Sequence, residues 1–177
     1  NNLRCSGHCR NCSINQVRGN LGITSNIDVY WSIADEAHRA MHTDLEASRS
    51  PRPDGEPGYV IRWDPNRRSF KNAMIAIVFA GMFLDALLYI ALQRRFGRAE
   101  ALKFDRLPHE ERLKILGITD SVVLGRVQEF REARKDLVHE KAVEIADIGG
   151  QVMRTAQNSA DSAMEVIREI RGLLGAP

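Results

Sequence analysis

Residues 73–92 contain one charged side chain, Asp85, in an otherwise apolar run. The longer string FKNAMIAIVFAGMFLDALLYIALQRRFG, residues 70–97, has no proline and reads as one helix of about seven turns. Its apolar positions continue around the helix instead of following one stripe, so it must be covered on most sides. The length meets the criterion for a membrane span. A carboxylate at mid-bilayer would cost about 2.5–3.5 kcal/mol, however, and several Ala and Gly dilute the apolarity. The expectation is a central helix of a packed domain, with no membrane partner, covered by neighbouring helices or by a second protomer.

The flanking segments supply such neighbours. From Asn26 as a cap, Val29, Ile33, Ala37, Ala40, Met41 and Leu45 recur at helical spacing, with Asp28 in the first turn, predicting a helix that ends near Ser48. SRSPRPDGEPG is dense in turn formers and predicts a loop, and YVIRWDPN predicts an extended piece. Beyond Gly97, ALKFDRL and PHEERLKILG resume the helical pattern, with Pro108 and Gly117 as boundary residues. Asp120 or Ser121 caps a long helix through VVLGRVQEFREARKDLVHEKAVEIAD, with Gly149 and Gly150 ending it. The last helix carries Val152, Ala156, Ala163, Val166, Ile167, Ile170 and Leu174 on one side. The fold class is therefore all-α, an antiparallel bundle of four to five helices joined by short turns. The division along the chain is a flexible arm (1–25), an N-terminal helix with its Pro/Gly-rich loop (26–68), and the main bundle (69–177).

With a net charge of +2 over 177 residues there is no global basic field to mark a nucleic-acid binder. RNA contacts would have to come from local clusters such as Arg131, Arg134 and Lys135. The three cysteines, Cys5, Cys9 and Cys12, all lie in the arm, which points to a reducing, cytoplasmic setting and a body without disulfides. Their spacing could suit an iron–sulfur cluster, or a zinc site with His8, but the adjacency of His8 and Cys9 is awkward for one tetrahedron. No cofactor and no metal are expected. His38, His42 and His109 stand in charged helical contexts and read as exposed.

The anomaly lies in FREARKDLVHEK. At about 100° per residue, Val123, Val127, Phe130, Arg134 and Leu137 form one stripe, so Arg134 occupies a place that packing alone would give to Leu or Met. A guanidinium in an apolar seam needs a carboxylate, carbonyl groups or a wet cleft. Asp85 is the natural partner. His139, an imidazole able to trade protons near neutral pH, lies about 140° around a straight helix from Arg134. Either the pair is a salt-bridged Arg and a solvated His, or a bend or a twofold dimer brings both to one cleft.

The segment Arg134-Lys135-Asp136-Leu137-Val138-His139, with a long apolar helix bearing Asp85 before it and an amphipathic helix after it, resembles the HEPN superfamily over residues 70–174. Many members of that family are metal-independent ribonucleases. The resemblance implies an HEPN-like bundle and a homodimer with a composite site, working as a toxin–antitoxin or phage-defence endoribonuclease. It further implies RNA as substrate, an antitoxin or regulatory partner protein, and products ending in 2′,3′-cyclic phosphate and 5′-hydroxyl. In it Arg134 would hold the scissile phosphate and His139 would act as general acid or base. Asp85 and Asp136 would support them, and Arg131 and Lys135 would bind flanking RNA. Two departures stand out: Lys135 where active members commonly carry Asn, Asp or His, and Lys141 where toxins modified by a nucleotidyltransferase carry Tyr. The first favours a second reading, a catalytically inactive HEPN-like module that dimerises and binds a nucleotide, RNA or partner protein.

Overall fold

The apolar run forms a single helix, α2 (Arg68–Phe96), and the other helices are arranged around it. The computed structural model describes residues 25–61, 66–138 and 149–175. Among them the order is α1 (Ile27–Ala47), β1 (Arg49–Pro51), β2 (Tyr59–Ile61), α2, α3 (Arg98–Phe104), α4 (His109–Ile115), α5 (Ser121–Val138) and α6 (Gly149–Leu173). Six helices thus replace the expected four to five, because the segment after Gly97 makes two short helices.

Apart from one short ribbon the described chain is all-α. In that ribbon Arg49, Ser50 and Pro51 stand opposite Ile61, Val60 and Tyr59 in antiparallel register. The stretch expected to be wholly loop therefore supplies a strand, since an extended segment must find partners for its backbone groups.

α2 packs against each of the other five helices. Its Ala73, Ala76, Ile77, Ala80, Leu84 and Leu88 share one core with Ala34, Ala37 and Met41 of α1, with Val123, Val127 and Phe130 of α5, and with Ala163, Ile167 and Ile170 of α6. The alanines let helices approach closely, while the larger side chains fill the space between them. α1 belongs to this core, packed against α2 and α6. Along α1 the inward stripe is Ala34, Ala37 and Met41, whereas Val29 is 53% exposed. By length and composition α2 could cross a membrane, and half of its most apolar window is buried inside the protein.

The helix ends explain how the elements near Asp85 are set. Ile27 N donates to Ser25 Oγ at 3.2 Å, and the Asn26 side chain makes no cap bond. At the end of α4, Gly117 N donates to the Lys114 carbonyl and Ile118 N to that of Leu113. That pattern requires the positive φ of 96° which Gly117 adopts without a Cβ penalty. Asp120 Oδ1 then accepts from Val122 N at 2.8 Å and from Val123 N at 3.3 Å, opening α5. Gly149 and Gly150, expected to end α5, form the first turn of α6. α6 is pinned to the start of α2 by a buried bond from Gln157 Nε2 to Ser69 Oγ at 2.7 Å.

Candidate functional site

Asp85 does meet Arg134, and two further side chains, Arg112 and His109, join them. Arg134 Nη1 lies 3.4 Å from Asp85 Oδ2. On the other oxygen, Arg112 Nη2 donates at 2.7 Å and His109 Nε2 at 2.8 Å. One carboxylate of α2 thereby ties α4 and α5 to the central helix. Burial alone would raise the Asp85 pKa, but the bonds and positive charges of His109 and Arg112 outweigh it and hold the carboxyl well below its usual range.

The outer ring is charged as well. Arg112 Nη1 reaches Asp105 at 3.3 Å, and Arg131 Nη2 reaches Glu110 at 3.1 Å. Four carboxylates (Asp85, Asp105, Glu110, Glu132) thus face three guanidiniums (Arg112, Arg131, Arg134), a sum of −1 before any proton on His109. A proton on His109 would bring the group to neutrality. Three atoms of the cluster, His109 Nδ1, Arg112 Nε and Glu110 Oε2, are buried with no hydrogen-bond partner among the described residues. The α4 face of the site therefore carries polar capacity that its neighbours leave unused.

Arg134 reaches Asp85 by crossing the backbone of α2 at Gly81, one turn before the carboxylate. A Cβ placed on Gly81 would stand 2.5–2.7 Å from Nε, Cδ and Cζ of Arg134. Only glycine leaves that passage open. The Arg134 side chain keeps 29% of its surface exposed and Asp85 keeps 40%, so solvent reaches the pair. Val123, Val127 and Phe130 are buried along the stripe that carries Arg134, as their spacing predicts.

The remaining sequence candidates divide. Arg131 is bound to Glu110 and lies 3.7 Å from Glu132, so it is engaged within the protein. Lys135 and Asp136 are exposed and form no ion pair with a described residue. His139 and Lys141 lie outside the described residues, as do Cys5, His8, Cys9 and Cys12.

Two histidines require correction. His109, read as exposed, is buried at 4%, and His38 keeps 12% of its side chain exposed; only His42, at 49%, is open. For His109 a usable signal existed. His109, Arg112, Leu113 and Leu116 fall at i, i+3, i+4 and i+7, so a His and an Arg stand in an inward helical stripe, the same anomaly that singles out Arg134. Arg112, unremarked in the sequence, is likewise buried at 4%. No family model, no curated protein and no solved structure matches this chain.

Proposed function

We propose that the chain is a metal-independent endoribonuclease of toxin–antitoxin or phage-defence type, acting as a homodimer with an HEPN-like composite site. The observation that carries this reading is the anchored guanidinium of Arg134, held by Asp85, routed over Gly81 and still open to solvent on the helix that leads to His139. A guanidinium fixed in this way can grip a phosphodiester in two-pronged fashion and favour the charge of its transition state. In the reaction the ribose 2′-oxygen attacks phosphorus and the 5′-oxygen leaves. His139 takes the proton from the former or gives one to the latter, as base or acid, leaving 2′,3′-cyclic phosphate and 5′-hydroxyl ends. Asp85 acts as a positioning residue.

A partly exposed apolar strip on α2, formed by Ile75, Met82, Ala86 and Tyr89, runs beside Asp85 and supports the dimer. A second copy laid along it would bring a second Arg134 helix toward the first, forming a cleft between them.

The pairing of every guanidinium around Asp85 with a carboxylate favours the second reading, a binding module without cleavage. Cations already matched by carboxylates add little attraction for RNA. Incubation of the purified chain with mixed RNA in EDTA, beside folded Arg134→Ala and His139→Ala variants, separates the two. The ribonuclease reading expects cleavage that falls about 10²–10⁴-fold in each variant. Cleavage equal in all three proteins would remove the proposed site, and a parent that binds RNA but never cuts it would establish the binding module.

A further inference from the structure

α1 carries His38 and His42 one turn apart, so both imidazoles leave the same face of the helix. Opposite them α6 presents Asp161. His38 Nε2 lies 2.7 Å and His42 Nε2 2.8 Å from the same carboxylate oxygen, Oδ1. The two rings stand edge to face with centroids 4.8 Å apart, and the three ligand-capable atoms lie within 4.8 Å of one another. A surface ion pair such as Arg39 with Asp35 needs no such convergence. Here two imidazole nitrogens of one helix converge on one carboxylate oxygen of another.

The geometry points to a divalent transition-metal site of the zinc class formed by His38, His42 and Asp161. Two imidazoles and one carboxylate are the donors that zinc and its neighbours prefer, and three protein ligands leave a position for water. Metal–ligand bonds of 2.0–2.2 Å at tetrahedral angles separate ligand atoms by about 3.3 Å. Asp161 would need to withdraw from each imidazole by about 0.5 Å, and the imidazole nitrogens, within 4.8 Å of each other, would need to close by up to about 1.5 Å, to admit the ion. The site permits that movement: Asp161 is 39% and His42 49% exposed, while His38, at 12%, is backed by protein. The inner ligand is held, the outer two can adjust, and solvent gives an entry path. On binding, the metal takes the place of the two N–H protons that now point at Oδ1. A neutral imidazole then carries its proton on Nδ1, and a protonated one releases a proton to solvent.

The ion would clasp α1 to α6. This cluster shares no residue with the Asp85 group, so the metal is structural or regulatory and leaves the proposed RNA chemistry metal-free.

The test uses the full chain with Cys5→Ser, Cys9→Ser and Cys12→Ser, which removes thiolate ligands from the arm, titrated with Zn²⁺ by calorimetry and with Co²⁺ by visible absorption. The expected result is one ion per chain, nitrogen- and oxygen-type Co²⁺ bands, and a melting temperature raised by about 5–10 °C at a hundredfold excess over Kd. His42→Ala and Asp161→Asn change exposed side chains. Each should weaken binding by more than the about 10-fold loss seen on removing an outer-shell partner. Zn²⁺ binding of equal strength in the parent and both variants would overturn the assignment. So would a parent that binds no Zn²⁺ at micromolar concentration, leaving a hydrogen-bonded triad. RNA cleavage in EDTA is read separately, so failure here and failure of the ribonuclease reading are distinct results.

Discussion

Arg134 lies against the Gly81 backbone so tightly that a Cβ built there would stand 2.5 Å from its Nε. The atoms that must yield belong to a flexible side chain, so Gly81→Ala should displace Arg134 and not the helix. Replacing a mid-helix glycine by alanine contributes about 0.5–1 kcal/mol of stability. Thermal unfolding should therefore show a melting temperature unchanged or raised. RNA cleavage should fall about 10²-fold, the cost of misplacing a phosphate-binding group by an ångström or so. A marked drop in melting temperature would show that the backbone, not Arg134, gives way.

Asp85→Asn keeps the shape of the side chain and removes its charge. His109 and Arg112, both 4% exposed, would then face a neutral amide. The loss should be about 1–3 kcal/mol in urea unfolding, toward the lower end because Asp85 is itself 40% exposed and Arg112 keeps Asp105. Adding Arg112→Met should recover part of that loss, since the buried guanidinium would keep only its 3.3 Å pair with Asp105.

The same carboxylate should govern acid stability. Asp85 is held below its ordinary value of 3.8, so through the acid range the folded chain binds fewer protons than the unfolded one, and stability rises with pH. Its contribution is complete above that ordinary value and is lost as pH falls through the lowered one. Unfolding free energies measured between about pH 3 and 5 should decline more steeply for the parent than for Asp85→Asn. Parallel curves would show that other carboxylates dominate.

RNA affinity should depend on salt unequally through the two flanking cations. Lys135 is exposed and forms no ion pair with a described residue, so Lys135→Ala should reduce the slope of log K against log salt by about 0.7, one single-strand phosphate contact. Arg131 is already matched by Glu110 at 3.1 Å, and Arg131→Ala should change the slope less. Binding measured across a salt series distinguishes the two, and an equal change would mean that Arg131 leaves Glu110 when RNA arrives.

Local pattern alone determined the helices: the period and breaks of the sequence place α1, α2 and the start of α5 within a residue or two, because propensity, capping and turn chemistry act over a few positions. It also marked Arg134 as out of place in an apolar stripe and nominated Asp85, since a buried charge demands an opposite one. Tertiary structure alone decided which groups share that carboxylate. His109 and Arg112 reach Asp85 across 24 and 27 residues of chain, and no local period reports which face of a short helix turns toward which neighbour. The same holds for Gly81, whose missing side chain matters only because Arg134 crosses it, and for Asp161, which meets His38 from 123 positions away. Spacing along a chain fixes the direction of a side chain on its own helix, whereas the partner is chosen by how whole helices pack.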